Sequence, residues 1–161
     1  MKVIGLTGST VEKQIQNRDL QLFMEWANPL NTTALNAVMN SGLLPPGNSG
    51  SQINLIGNGN YFKMEGDTLS AYLPYFGERR MGGGYGRNTQ IEFKDVPVNL
   101  EIKRNETKER FEISFTISDH NRPTENYQVR TEVYPNGRSA ITINSSDRTV
   151  ISYTGRVEAI K

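Results

Sequence analysis

The chain has 161 residues, no cysteine, 18 basic and 17 acidic side chains, and a formal net charge of +1. That length suits one core without a disulfide staple, and the missing cysteines exclude disulfides and thiolate metal sites without fixing a compartment. The charges alternate finely, so neither a basic stripe for nucleic acid nor an acidic tail is present.

No run reaches the roughly 18 apolar residues of a membrane span. The opening Met1-Lys2-Val3-Ile4-Gly5-Leu6 holds too short an apolar stretch for a signal-peptide core. The chain therefore reads as cytosolic, or as a mature segment whose export signal has been cut away. We read residues 1–161 as a single domain, with an arm and helix over 1–18 and a β meander over 61–161.

Ser9-Thr10-Val11-Glu12 is a capping-box pattern that starts a short helix through about Arg18, with Val11 and Ile15 on one face. The period then changes. Leu20, Leu22, Met24 and Trp26 alternate with other residues as a strand, which Pro29 ends. A second short helix is expected from Thr33 to Ser41, closed by Gly42, and Pro45-Pro46-Gly47 stops any continuation. Residues 48–60 read as a Gly/Asn/Ser-rich loop with a short strand around Ile53-Asn54-Leu55-Ile56.

From Tyr61 onward every second residue is expected to face a shared interior. Phe62 and Met64 precede a Gly66-Asp67 turn, and Leu69, Ala71 and Leu73 follow it. Ile91 and Phe93 form a short strand, and Val96, Val98, Leu100 and Ile102 another, where Pro97 marks a sheet edge or a strand start. Phe111, Ile113, Phe115 and Ile117 give the cleanest alternation. Strands over 127–134 and 138–145 follow, and the last strand carries Ile151, Tyr153 and Val157.

One hairpin can be read to the residue. A two-residue Asn136-Gly137 turn would place Ile141 and Ile143 on the face opposite Val129 and Val133. A three-residue loop pairs Tyr134 with Arg138, Thr131 with Ile141 and Val129 with Ile143, which keeps one face apolar. Pro135 suits the first central position of a type I turn, and Gly137 the left-handed bulge after it. About eight strands and one or two short N-terminal helices thus predict a mainly β fold. Its expected form is an antiparallel meander making a strongly curved sheet or incomplete barrel, with a two-sheet β-sandwich as the alternative.

The richest candidate for chemistry is the segment 72–87. Tyr75, Phe76, Arg79, Arg80, Tyr85 and Arg87 surround a glycine run and could grip an anionic or planar ligand through guanidinium forks and ring stacking. The plainer reading is that Tyr75 and Phe76 plug the open end of the sheet while the glycines turn the chain. The run lacks the Gly-Lys-Ser/Thr ending of a phosphate loop. His120 reads as a solvated turn residue; as the one histidine it excludes a histidine-based metal site by count, and no carboxylate cluster has calcium-loop spacing. No catalytic residue and no cofactor is assigned. Glu65, Asp67, Glu78, Glu92 and Asp95 leave a glycosidase-like carboxylate pair open. Sequons at Asn31, Asn105 and Asn144 matter only in a eukaryotic secretory pathway.

The stretch Tyr72-Leu73-Pro74-Tyr75-Phe76-Gly77 is preceded by Gly66-Asp67 and followed by Ile91-Glu92-Phe93. The chain closes with Ser145-Ser146-Asp147-Arg148 and Ile151-Ser152-Tyr153-Thr154-Gly155. Together these resemble the bacterial family called domain of unknown function 4251, from about Asn17 to the C-terminus. The resemblance implies export in Gram-negative bacteria, often with a lipoprotein-type signal. An envelope or periplasmic location is thus expected, membrane-anchored in the full-length form, with the cytoplasm as the alternative. The chain itself shows no lipobox cysteine. The family brings no activity, so Tyr75, Phe76 and Gly77 match its signature as positions without a role.

The leading expectation is a non-enzymatic envelope protein that binds a small molecule or an envelope protein at the open end of the sheet. The alternatives are an assembly module that docks through a sheet edge, and a hydrolase with a carboxylate pair. No nucleic-acid partner and no transmembrane segment are expected.

Overall fold

Alternation in the sequence becomes alternation of burial in the computed structural model, which describes residues 8–29, 52–57, 59–75, 90–148 and 150–157. One helix is described, α1 (Gly8–Gln16). The strands are β1 (Asp19–Pro29), β2 (Ile53–Asn54), β3 (Tyr61–Glu65), β4 (Thr68–Leu73), β5 (Ile91–Asp95), β6 (Val98–Asn105), β7 (Arg110–Ser118), β8 (Asn126–Val133), β9 (Arg138–Ser145) and β10 (Ile151–Val157). The expected second helix over Thr33 to Ser41 lies outside the described residues.

All ten strands belong to one antiparallel sheet with the order β5-β4-β3-β1-β10-β9-β8-β7-β6, while β2 adds beside β1. A flat sheet would hold its two ends far apart. Here the Phe93 ring on β5 lies 5.9 Å from Phe115 on β7 and 6.1 Å from Tyr127 on β8, with Phe62 of β3 completing the cluster. The sheet therefore curls around one core. The His120 amide, in the turn after β7, donates to the Glu92 carbonyl on β5 at 2.7 Å and ties the two arms together. This is the incomplete barrel, and the two-sheet sandwich is set aside. Only two residues, Val96 and Pro97, link the terminal strands β5 and β6.

The core follows the expected parity: Phe111, Ile113, Phe115 and Ile117 are buried, as are Val129, Val133, Ile141, Ile143, Ile151 and Tyr153. Val11 and Ile15 join the same core from α1. A nine-residue helix is marginal alone, so the burial of these two side chains, about 1.5–3 kcal/mol each, holds it in place. The β3–β4 turn places Gly66 at φ +62°, the left-handed first position of a two-residue hairpin loop. The β8–β9 hairpin has the bulged register: Thr131 pairs with Ile141, Val129 with Ile143, and the Tyr134 amide donates to the Arg138 carbonyl at 2.8 Å. Gly137 sits at φ +92°.

Two expected stripes break, each for a local reason. Trp26 does not continue Leu20, Leu22 and Met24 into the core, because a β-bulge between Met24 and Trp26 shifts the phase and Ala27 is buried instead. The bulge is held from both sides. The Asn60 side chain accepts from the Met24 amide at 2.8 Å and donates to the Met24 carbonyl at 3.1 Å, standing in for a strand. On the other side Gly155 packs against the Phe23 carbonyl, and a Cβ there would lie 2.6 Å from the Met24 Cα. Val96 and Val98 are the second exception, 59% and 58% exposed. They stand where the chain crosses between the sheet's ends, and left-handed Asn99 (φ +56°) accompanies a bulge before Glu101, so only Leu100 and Ile102 pack against the core.

Candidate functional site

Two separated sequence motifs meet at the barrel end where β4 finishes and β9 gives way to β10. The Tyr153 hydroxyl on β10 donates to the Pro74 carbonyl at 2.6 Å and fixes the chain just past β4. The next residue, Tyr75, is buried, with the Arg148 guanidinium 4.9 Å from its ring centroid. Arg148 in turn donates through Nε to the Glu125 carboxylate at 2.8 Å, and these side chains are 3% and 0% exposed. Ser145 organises the turn. Its Oγ donates to Glu125 at 2.6 Å and accepts from the backbone amides of Asp147 and Arg148 at 3.0 and 3.2 Å. Beside the pair, the Tyr127 hydroxyl donates to Asp119, whose second oxygen accepts the Asn121 amide at 2.9 Å.

The electrostatics follow from this packing. Two buried charges are tolerated because they face each other with hydrogen bonds to spare, and either one alone would carry a large desolvation cost. Burial, and then the hydrogen bond to Asp119, pushes the Tyr127 phenol well above its ordinary range. Burial, and then Tyr75, does the same to Tyr153. Both phenols act as fixed hydrogen-bond donors, and neither releases a proton near neutral pH.

Of the expected ligand-binding residues, Tyr75 is the one the described structure places, and it is buried beside Arg148. Phe76, Arg79, Arg80, Tyr85 and Arg87 lie outside the described residues, as does Glu78. His120 is exposed in the β7–β8 turn, its backbone engaged with Glu92. Glu65, Asp67 and Asp95 are exposed, Asp95 accepts the Val96 amide at 2.7 Å, and Glu92 accepts the Asn121 side chain at 3.1 Å. Residue-type reasoning missed Arg148, Glu125, Asp119 and Tyr127. Their sequence signal is slight: polar residues in and beside turns, which ordinarily face water.

Further charge clusters lie on the outer face. Arg110 reaches Glu112 at 2.8 Å and Glu132 at 3.0 Å, with Arg130 beside them. The hydrogen bonds that the Arg110 guanidinium donates, to the Tyr134 hydroxyl and then to Glu112, hold it above its usual range, and the bond from Arg110 holds the Glu112 carboxyl below the ordinary one. One hollow of about 430 Å³ lies near the β8–β9 turn, lined in part by Arg104, Lys108, Phe111 and Tyr134. A larger one, about 660 Å³, lies over the β1 bulge. Neither is lined by Glu65, Asp67, Glu92 or Asp95. Among the described residues no group of three His, Cys, Asp or Glu could hold a metal ion, and no helix is long and apolar enough to cross a membrane.

The family model described as "Domain of unknown function (DUF4251)" matches residues 7–157. No curated protein and no solved structure matches the chain.

Proposed function

Because the chain belongs to the family of domain of unknown function 4251, we propose that it is a non-enzymatic cell-envelope protein that binds a small anionic or planar molecule, or a protein partner, at the Tyr75 end of the barrel. One observation carries the reading. Residues 73–75 and 145–148, far apart in sequence, converge there on the buried Arg148–Glu125 pair, which makes that end rigid. The segment that carries Phe76, Arg79, Arg80, Tyr85 and Arg87 follows Tyr75 directly in the sequence. Loops on rigid scaffolds are where binding residues concentrate. The charged oxygens described there are engaged with Arg148, Ser145, Tyr127 and Asn121, an arrangement suited to holding shape and not to moving protons. The envelope location rests on the export pattern that the family resemblance implies.

An NMR amide-shift titration with benzoate and with inorganic phosphate tests the site. Shifts should cluster at Tyr75, Gln90 and Arg148, and R79Q/R80Q/R87Q should abolish them. Saturable shifts confined to the other end of β9 and β10, or none at all, would refute the reading. Fractionation of the full-length protein in its own cells tests location: it should follow the envelope, and a purely cytosolic distribution would refute that part.

Docking through a sheet edge is favoured by one observation, the exposed Val98 that begins edge strand β6 and the exposed Val96 just before it. Against it stand the Asn99 bulge and the charges of Glu101, Lys103 and Arg104 along that strand, features that protect edges from pairing. An elution volume that stays monomeric at high concentration would remove self-assembly by this route.

A further inference from the structure

The bulge in β1 turns the chain's one tryptophan out of the core. Glu25 is the extra residue, and both Glu25 and Trp26 line the outer hollow of about 660 Å³, a volume within the usual range for small-molecule sites. Its floor is low: Trp26 pairs with Thr154, and Thr154 with Ala140, so small side chains on β10 and β9 lie next to the indole. Tyr134 and Asn136 close one side. Bulges recur beside functional sites because they redirect a side chain at small cost to the sheet. This one is maintained by two dedicated residues, Asn60 and Gly155.

The charge arrangement at the same place is unusual. Arg156 and Arg138 are direct cross-strand partners, and both line the hollow. Like charges placed opposite each other on a sheet repel. Glu25 answers one of them, at 3.5 Å from the Arg156 Nε, and Arg138 has no ion-pair partner among the described residues. With one carboxylate, Glu25, set against two guanidiniums, the hollow carries an excess positive charge beside an indole and a phenol.

We propose that this hollow binds a small ring-bearing anion, a carboxylate or phosphate attached to a planar ring. Arg138 and Arg156 take the anionic group, and Trp26 covers the ring. Arginine pairs suit the oxygens of either group, and an indole face stacks on planar rings. The site lies at the opposite end of β9 and β10 from Tyr75 and Arg148 and stands independently of the function proposed for that end.

Trp26 is its own reporter, since it is the only tryptophan in the chain. Its fluorescence should change saturably with phenyl phosphate or benzoate, and the arm that responds identifies the anion. Inorganic phosphate and phenol, each half of the ligand, should bind at least about tenfold more weakly. R138Q and R156Q, both exposed positions whose loss leaves the core untouched, should each weaken binding at least about tenfold. In W26A, saturable amide shifts at Arg138 and Arg156 should show the same loss, read apart from any at Tyr75 and Arg148. No saturable change with either probe at millimolar concentration would overturn the proposal, as would binding undiminished in both arginine variants. Inorganic phosphate binding as tightly as phenyl phosphate would overturn the role given to Trp26.

Discussion

Replacing Arg148 with methionine tests whether the Tyr75 end is held by a buried ion pair. The guanidinium lies 2.8 Å from Glu125, and the two side chains are 3% and 0% exposed, so solvent does little to screen them. Removing the arginine strands a carboxylate in the interior at a cost of about 3–5 kcal/mol. The stacking on Tyr75 is lost as well, about 0.5–2 kcal/mol. Against a total stability of about 5–15 kcal/mol for a domain, R148M is a severe lesion. With a urea slope of roughly 2 kcal/mol per molar, the two losses together should lower the unfolding midpoint by about 1.75–3.5 M. The double variant E125M/R148M removes both charges and keeps the volume, so it should lose less than R148M alone. Urea unfolding followed by circular dichroism measures all three proteins. A loss below about 1 kcal/mol for R148M is the behaviour of a surface pair and would refute the reasoning.

Gly155→Ala forces a methyl group against the Phe23–Met24 backbone, so it should cost about 1–3 kcal/mol in thermal unfolding and shift the Met24 and Asn60 amide signals. A neutral G155A would mean that β10 does not approach β1 this closely. Gly137→Ala places a Cβ at φ +92° and should destabilise by about 1–2 kcal/mol without changing the β8–β9 register in cross-strand NOEs. Alkaline pH should unfold the protein through its interior tyrosines. Tyr127 and Tyr153 have folded pKa values raised above their unfolded ones. Their contribution is therefore complete below about pH 10 and is lost progressively as pH rises beyond it. Absorbance at 295 nm should show these two phenols ionising only as the fold is lost, and Y127F/Y153F should flatten the alkaline limb. Their ionisation in the intact fold would contradict the burial.

The strands were legible because burial in a one-faced sheet has a period of two, and the run from Phe111 to Ile117 carries that period without interruption. The β8–β9 register was legible too, since Val129, Val133, Ile141 and Ile143 share a face in only one of the two loops considered. Trp26 was misread because a bulge depends on what the neighbouring strands bring, here Asn60 and Gly155, and no pattern within β1 announces it. Val96 and Val98 look like core by composition, yet they bridge the sheet's two ends, a position set by topology. The Arg148–Glu125 pair was hidden for a related reason. Charged residues in turns usually face water, and only the curl of the sheet brings residues 73–75 over them.

The curled sheet is tested most directly by one distance. Phe93 and Phe115 sit on strands seven steps apart along the sheet, β5 to β7, which in a flat sheet would separate them by about 34 Å. Curling brings their rings to 5.9 Å. A NOESY spectrum with the two phenylalanines distinctly labelled should show a ring-to-ring cross-peak. Its absence, with Phe115 still in contact with Val129 on the neighbouring strand, would mean that the two arms do not share a core.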